Sequence, residues 1–238
     1  MNHVIAITKK ELKDYFNSPL AYIFISIFLV AAGWLFWRSF FLYGQANMRY
    51  YFTLLPWLFL FLIPALTMKL WAEEKKLKTQ EVLFTWPIKD YEAVLGKFLA
   101  GVIFLLIALL LSLSIPISIS QMGELDWGII ITSYLGSLLL GAVFLAIGLF
   151  ISSLTDNQII SFIVSVAICF AVYIISEDIV LYVLPGFLVN FFQYLGLGYH
   201  FASINRGVLD SRDLLYYFSI IFIFIYLNIR QIESRKWK

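Results

Sequence analysis

Charge is scarce in this sequence and is absent from long stretches of it. Only 13% of the residues are charged and 62% are hydrophobic, whereas a soluble domain carries about 25% charged residues. Six apolar stretches contain no Asp, Glu, Lys, Arg or His: 20–37, 50–68, 98–120, 128–151, 159–176 and 214–229. Each has about the length that a bilayer requires, roughly 20 residues. The sequence therefore predicts an all-α membrane protein with six transmembrane helices.

The motifs of energy-coupled chemistry are also missing. The only Gly-Lys pair, Gly96-Lys97, lacks the upstream glycine and the following Ser or Thr of a phosphate-binding loop. Ionisable side chains inside spans usually mark proton or ion pathways, so their absence counts against an ion-driven carrier and against an intramembrane hydrolase. His3 and His200 are the only histidines, and neither has a ligand set nearby in sequence. We expect no catalytic, cofactor-binding or metal-binding residue, and any energy must come from a partner.

The low cysteine count, the small net charge and the chain length restrict the class of protein further. The single cysteine, Cys169, lies in the fifth stretch and cannot form a disulfide within the chain. The net charge of +2 gives no reason to expect nucleic acid as a partner. With 238 residues, six spans leave room for one membrane domain covering 1–238.

The basic residues are distributed unevenly around the six stretches. With a cytoplasmic N-terminus, 13 of the 17 Lys and Arg residues fall on the inside, in 1–19, in the loop 69–97 and in the C-terminal tail. Because cytoplasmic loops carry an excess of Lys and Arg, we expect a multi-pass membrane protein with both termini in the cytoplasm.

The segment before the first stretch has amphipathic character. Val4, Ile5, Leu12, Tyr15 and Phe16 recur at helical spacing, and the lysines fall elsewhere on the helical wheel. Residues 1–19 are interpreted as a helix lying in the membrane interface. A charged anchor that only sets topology is the alternative.

The stretch 177–213 is apolar but interrupted. Pro185-Gly186 breaks one apolar run, and Gly196 and Gly198 lie in the next. Runs of this length are too short to span a bilayer, so we predict two short helices that form a re-entrant hairpin on the outer side.

Small residues share one face of the fourth stretch: Ser133, Ser137, Gly141 and Gly148. Small side chains let helix backbones approach closely in lipid. This face predicts a helix contact, either within the bundle or between subunits.

The loop 69–97 concentrates the charge that the spans lack. It carries six basic and five acidic residues, yet Val82, Leu83 and Phe84 give it an apolar tip. The pattern predicts a helix continuing to Phe84, ended by Trp86-Pro87. A charged helix with a small apolar patch suits protein docking. The alternative interpretation is a solvated connector.

This loop resembles the hallmark of ABC-2 type permeases. The residues that match the family pattern are Glu73, Glu74, Lys75, Lys76, Thr79, Glu81, Leu83 and Pro87. Lys78 departs from the pattern, because the family usually has glycine there. The resemblance implies a type V exporter-like fold whose loop is a coupling helix, seated in a groove of a separate ATPase that binds ATP and Mg²⁺. It also implies two membrane halves, the second being another copy or a related permease with a large external domain.

Two further segments, 15–22 and 200–217, are similar to the GldF-type permease subunits of gliding-associated ABC transporters. The second segment includes His200 and an outer cluster of Arg206, Gly207, Asp210, Arg212 and Asp213. This cluster either locks the hairpin through ion pairs or receives an external partner. The resemblance implies ATP-driven transport or mechanical work on an envelope partner. The alternatives are a non-transporting scaffold of a secretion or motility machine, and a permease for metalloenzyme maturation.

Overall fold

A computed structural model describes residues 2–43, 47–78 and 88–234 of the chain. In these ranges the protein is helical, without a β-strand. The helices, numbered here in chain order, are α1 (Asn2–Asn17), α2 (Pro19–Tyr43), α3 (Arg49–Thr67), α4 (Lys69–Lys76), α5 (Asp90–Ser112), α6 (Ser114–Ser120), α7 (Trp127–Leu154), α8 (Gln158–Ile174), α9 (Asp178–Leu181), α10 (Gly186–Leu195), α11 (Leu197–Ile204) and α12 (Ser211–Glu233).

Five helical runs in the described ranges are long and apolar enough to cross a membrane. They are Pro19–Leu42, Arg49–Lys76, Asp90–Ser120, Trp127–Leu154 and Ser211–Glu233. The predicted fifth span, 159–176, corresponds to α8, which has only 17 residues. The chain is thus a multi-pass membrane protein with five full-length candidate spans and one shorter apolar helix.

Side-chain caps define where several helices begin. Asp126 accepts hydrogen bonds from the backbone N–H of Gly128 (2.9 Å) and Ile129 (3.3 Å) at the start of α7. Asn157 caps α8 in the same way, and Asp210 caps α12. These side chains accept hydrogen bonds from N–H groups that have no partner within the helix. The short polar residues Asp126, Asn157 and Asp210 therefore mark the positions where these apolar helices begin.

A proline explains the break between α5 and α6. Pro116 has no N–H to donate to the carbonyl of Ser112, and the helix is interrupted at Leu113. In α3, Pro56 and Pro64 lie inside the helix, which ends at Thr67. Met68, which has a helical backbone conformation, separates α3 from α4.

Helix α7 is the centre of the bundle. In its most apolar window 83% of the residues are buried, against 28% in α2 and 22% in α12. It packs against α3, α5, α8 and α12. The peripheral helices α2 and α12 therefore leave most of their apolar surface on the outside of the bundle.

The small residues of α7 make contacts inside this bundle. A side chain at Gly141 would overlap Leu105 of α5, and one at Gly148 would overlap Thr67 of α3. Ser133 donates a hydrogen bond to the side chain of Asn205 (2.8 Å), and Ser137 donates to the carbonyl of Ser133. These residues of α7 therefore contact other helices of the same chain.

Three boundaries differ from the sequence predictions. Helix α5 begins at Asp90 rather than at Phe98, because the carboxylate of Glu92 accepts a hydrogen bond from the backbone N–H of Lys89 (3.0 Å) and satisfies that group at the start of the helix. Helix α4 ends at Lys76, so the predicted helix does not run unbroken to Phe84. The hairpin region contains α9, α10 and α11 instead of two helices, because the chain also turns at Gly196.

Candidate functional site

The charged residues gather where α1, α4 and the first two turns of α5 meet, a region called here the charged end of the bundle. Lys97 of α5 is almost fully buried, with 1% of its surface exposed. Its ammonium group lies 2.9 Å from Oε1 of Glu11 in α1 and 2.6 Å from Oε1 of Glu74 in α4. One lysine thus binds carboxylates from two other helices.

Trp71 completes the surroundings of this lysine. Its ring centroid lies 4.9 Å from Nζ of Lys97, and the indole is fully buried. An ammonium group over an indole ring gains a cation–π attraction, which is strongest where water is excluded. The three hydrogens of Lys97 therefore face two carboxylates and an aromatic ring.

Helix α1 is pressed tightly onto α5 beside this cluster. A side chain at Gly96 would lie only 2.6 Å from Ile7, and the hydroxyl of Thr8 donates to the carbonyl of Gly96 (3.2 Å). Tyr15, at the other end of α1, is buried against Phe104, and burial and the nearby Glu11 raise the pKa of its hydroxyl. The predicted helix extends over 2–17; Ile7, Thr8 and Tyr15 are buried against protein, while Ile5 is half exposed.

Helix α4 is fastened to α7 at its beginning. The hydroxyl of Ser152 accepts hydrogen bonds from the backbone N–H of Trp71 and of Ala72, both at 3.1 Å, and donates to the carbonyl of Met68 (3.0 Å). These backbone groups lie at the junction of α3 and α4, where helical hydrogen bonding is incomplete. Ser152 of α7 therefore holds the junction between α3 and α4 in place.

Lys75 adds a second link between the same two helices. Its ammonium group donates to the carbonyl of Ser153 and lies 3.5 Å from the carbonyl of Thr155. These carbonyls are at the C-terminus of α7, where the helix dipole favours a positive charge. A charged residue that the sequence assigned to partner docking thus also holds α4 in place.

Helix α4 ends in a turn with an unusual conformation. Lys78 has a φ of 57°, and its N–H donates to the carbonyl of Lys75 (3.0 Å). A left-handed residue at this position after a helix is usually glycine, because glycine has no Cβ to clash. This geometry explains why glycine is usual in the ABC-2 pattern at the position that Lys78 occupies here.

A cavity of about 670 Å³ separates α1 from α4. Lys97, Glu11 and Glu74 line it, and Lys69, Glu73 and Leu77 form part of its wall. The two ion pairs of Lys97 and the contact of the Lys69 ammonium group of α4 with the Tyr15 ring of α1 (5.5 Å) connect the two helices. A movement of α4 would reach α1 and the third span through Lys97.

The sequence prediction found part of this site and missed its centre. Glu73, Glu74, Lys75 and Lys76 lie on α4 as predicted, with Lys76 exposed. Thr79, Glu81, Val82, Leu83, Phe84 and Pro87 lie outside the described residues. Lys97, Glu11, Trp71 and Ser152 were missed, although a lysine one residue before an apolar stretch was a visible signal.

Of the predicted outer cluster, Asp213 is the residue whose contact with His200 the structure shows. Asp213 pairs with this histidine at 2.7 Å, while Asp210 caps α12 through the N–H of Arg212. In the described part of the chain, Arg206 and Arg212 form no ion pair. Pro185 and Gly186 begin α10, and Gly207 adopts a φ of 89°.

Comparison with known proteins assigns the family. No curated protein matches the sequence. The model of the ABC-2 family transporter protein matches residues 41–227, most of the chain, including α3 to α11 and the whole of α4. Members of this family are membrane subunits without an ATPase domain of their own, which agrees with the missing phosphate-binding loop. The chain belongs to the ABC-2 family of transporter proteins.

Proposed function

We propose that this protein is the permease subunit of an ATP-driven ABC-2 complex and that α4 receives the movement of a separate cytoplasmic ATPase. The observation that carries the proposal is the position of Lys97, which binds Glu74 of α4 and Glu11 of α1 in the same buried site. Family membership supplies the expectation of an ATPase partner.

The contacts of α4 give it the properties of a transmitting element. Its first turn is fixed to α7 by Ser152, and its middle is tied to α5 by the Glu74–Lys97 pair. Helix α4 leads to Lys78, where the described segment ends, and the apolar residues Val82, Leu83 and Phe84 come next in the sequence. A force applied beyond Lys78 would therefore act on a helix attached to two spans.

The finer features of the proposal come from the sequence resemblance. The charged end would face the cytoplasm of a bacterium, the second membrane half would be another copy or a related permease, and the complex would belong to the gliding-associated type. It would either move a substrate or perform mechanical work on an envelope partner.

The test is purification of the native complex and assay of its ATP hydrolysis. We expect an ATPase to co-purify with the chain, and we expect Val82→Asp with Leu83→Asp to abolish that association while membrane insertion stays normal. The control is Val208→Asp with Leu209→Asp, two exposed residues before α12, which should leave the association unchanged. An ATPase that binds the docking variant normally would contradict the assignment of α4 and its continuation as the docking site.

A second variant separates docking from transmission. Glu74→Gln removes the charge that faces Lys97 but leaves the apolar tip unchanged, so the ATPase should still bind. The change in the rate of ATP hydrolysis that the permease causes should be at least about tenfold smaller in this complex than in the wild type. The reason is that a charged hydrogen bond is lost. If the ATPase hydrolyses ATP at the same rate with and without this chain, the chain is a non-transporting scaffold instead.

A further inference from the structure

The cavity between α1 and α4 lies at the level where two apolar spans end. Two of the lysines that line it, Lys69 and Lys97, stand directly after the apolar stretch 50–68 and directly before the stretch 98–120. Helix α1, which forms another wall, comes just before the first apolar stretch. Lysines at the ends of spans lie at the boundary between hydrocarbon and water. The cavity is therefore within reach of lipid head groups.

The wall of the cavity combines charged and apolar side chains. Its apolar members are Ala6, Ile7, Leu70, Leu77 and Ile88. Leu77 is 63% exposed, although an apolar side chain gains free energy when it leaves water. The volume of about 670 Å³ lies in the range of small-molecule sites, which join an apolar wall to a few polar groups. An occupant that matches this wall must itself be amphipathic.

The charges on the wall are unequal in number. The cavity is lined by four carboxylates and three ammonium groups: Glu11, Asp14, Glu73 and Glu74, with Lys10, Lys69 and Lys97. Lys97 binds Glu11 and Glu74. Lys10 lies 3.7 Å from Glu11 and 3.9 Å from Asp14. With one carboxylate in excess, the wall favours an occupant that brings a positive charge.

Two charges of α4 remain outside these pairs. Among the described residues, neither Lys69 nor Glu73 forms an ion pair. They are four residues apart, so they share a face of α4 and lie about 6 Å apart along its axis. The ammonium group of Lys69 lies 5.5 Å from the centre of the Tyr15 ring instead. The helix thus offers an occupant one cation and one anion, one turn apart.

A buried hydroxyl on the same wall also lacks a partner. Tyr15 lines the cavity and is 2% exposed, and its hydroxyl forms no hydrogen bond within the described part of the chain. Buried polar groups nearly always have a hydrogen-bond partner. An occupant with oxygen atoms could supply the missing acceptor, as a phosphate or an ester does.

We propose that this cavity binds the head group of a phospholipid with a primary ammonium group, of the phosphatidylethanolamine type, from the leaflet that borders the charged end. The phosphate pairs with Lys69, and the ammonium group pairs with Glu73. The glycerol and the first methylene groups pack against Leu77 and Ile88. An anionic head group brings no cation to Glu73, and a quaternary ammonium group has no N–H to donate to it. The site is independent of ATPase docking, since it needs no residue beyond Ile88 or Leu77.

Native mass spectrometry of the purified full chain, titrated with single phospholipids, tests the site. We expect one phosphatidylethanolamine to bind saturably and at least about tenfold more tightly than phosphatidylglycerol, because only the first donates a charged hydrogen bond to Glu73. Equal affinities, as for lipids that only coat the spans, would overturn the proposal. Soluble glycerophosphoethanolamine at the same concentration should not displace the lipid. Displacement would show that the site takes a free solute and would also overturn it.

Two substitutions connect the preference to the wall. Glu73→Gln keeps the size of the side chain and should reduce the affinity for phosphatidylethanolamine to that for phosphatidylglycerol. Its control is Glu124→Gln, at an exposed position between α6 and α7. Lys69→Gln should weaken the binding of both lipids at least about tenfold. Its control is Lys13→Gln, an exposed lysine outside the wall.

The two controls should retain wild-type affinities. A head-group preference that survives in Glu73→Gln would refute the assignment of the ammonium group to this carboxylate. Glu73 has no ion pair in the described part of the chain, so its replacement should leave the fold intact. The comparison of the two lipids on the wild-type chain stands even if Lys69→Gln fails to fold.

Discussion

Lys97 shows how strongly a single buried charge can connect elements that are far apart in the chain. Its partner Glu11 is 86 residues away, and Glu74 is 23 residues away. Burying the three charges costs desolvation energy, which their mutual attraction repays only if every member is present. The site is therefore sensitive to the loss of any one residue.

Replacing Lys97 by Met should lower the free energy of unfolding by about 3–5 kcal/mol, because it removes the buried ammonium group that binds both Glu11 and Glu74. Reversible unfolding in detergent micelles measures this change. The matched control is Lys10→Met, since Lys10 contacts the same Glu11 at 3.7 Å from an exposed position and should cost less than about 1 kcal/mol. Restored stability in a Lys97→Met variant that also carries Glu11→Gln and Glu74→Gln would confirm the cause; equal losses in the two lysine variants would disprove it.

The second residue-scale prediction concerns Lys78. A non-glycine residue in the left-handed conformation costs roughly 1–2 kcal/mol, so Lys78→Gly should raise the free energy of unfolding by about 1 kcal/mol. The control is Lys76→Gly at the last residue of α4, which should lower it by at most about 1 kcal/mol. The same unfolding measurement distinguishes them, and a Lys78→Gly variant less stable than wild type would show that this backbone conformation is not maintained.

Single residues were the part of the site that sequence analysis could least predict. Glu74 was found because it belongs to a local pattern. Lys97 and Glu11 were not, since their pairing depends on α1 folding back onto α5. The glycine that the family usually has at position 78 was recognised, but its meaning required the φ of 57°.

At the scale of elements, Ser152 determines the junction between α3 and α4. Ser152→Ala would leave the N–H groups of Trp71 and Ala72 without their acceptor. We expect a loss of about 1–3 kcal/mol and weaker coupling of ATP hydrolysis to the permease. Ser137→Ala is the control, because Ser137 is equally buried in α7 but bonds only to its own helix. Comparable losses in both variants would show that burial alone, and not the junction, accounts for the effect.

The close packing of α7 against α3 can be tested separately from the hydrogen bonds of Ser152. A methyl group at Gly148 would overlap the side chain of Thr67, so Gly148→Ala should lower stability by about 1–3 kcal/mol. Gly33→Ala in α2 is the control: nothing lies within 4 Å of the added atom, and alanine favours a helix by about 0.5–1 kcal/mol. The midpoint temperature of thermal denaturation should fall for Gly148→Ala and rise for Gly33→Ala. A shift in the same direction for both variants would contradict the packing of α7 on α3.

Hydrophobic periodicity and length were sufficient to locate most of the helices. The runs around α3, α7 and α12 were predicted to within four residues, because a bilayer demands long apolar segments. Helix α2 ends six residues beyond the predicted Trp37. The start of α5 was missed since its first turns are polar and yet helical. The region of α9 to α11 was recognised as irregular, but its exact breaks depend on the turns at Pro185 and Gly196.

For the whole molecule, the number of crossings depends on α8. At 1.5 Å per residue, its 17 residues extend about 26 Å, slightly less than the roughly 30 Å hydrocarbon core. If α8 crosses, the chain has six spans and its two ends lie on the same side of the membrane. If it does not, the ends lie on opposite sides.

Single cysteines placed on either side of α8 decide between these arrangements. In a Cys169→Ala background, Asp156→Cys precedes α8 and Ile179→Cys follows it, and both positions are exposed. An impermeant maleimide added to intact cells should label the cysteine at 179 and reach the one at 156 only after permeabilisation. Leu77→Cys and Met122→Cys, at exposed positions before and after the third span, serve as inside and outside references. Because the excess of Lys and Arg favours both termini inside, identical labelling at 156 and 179 would mean that α8 returns to the side it came from and that the positive charge of the tail does not set its location.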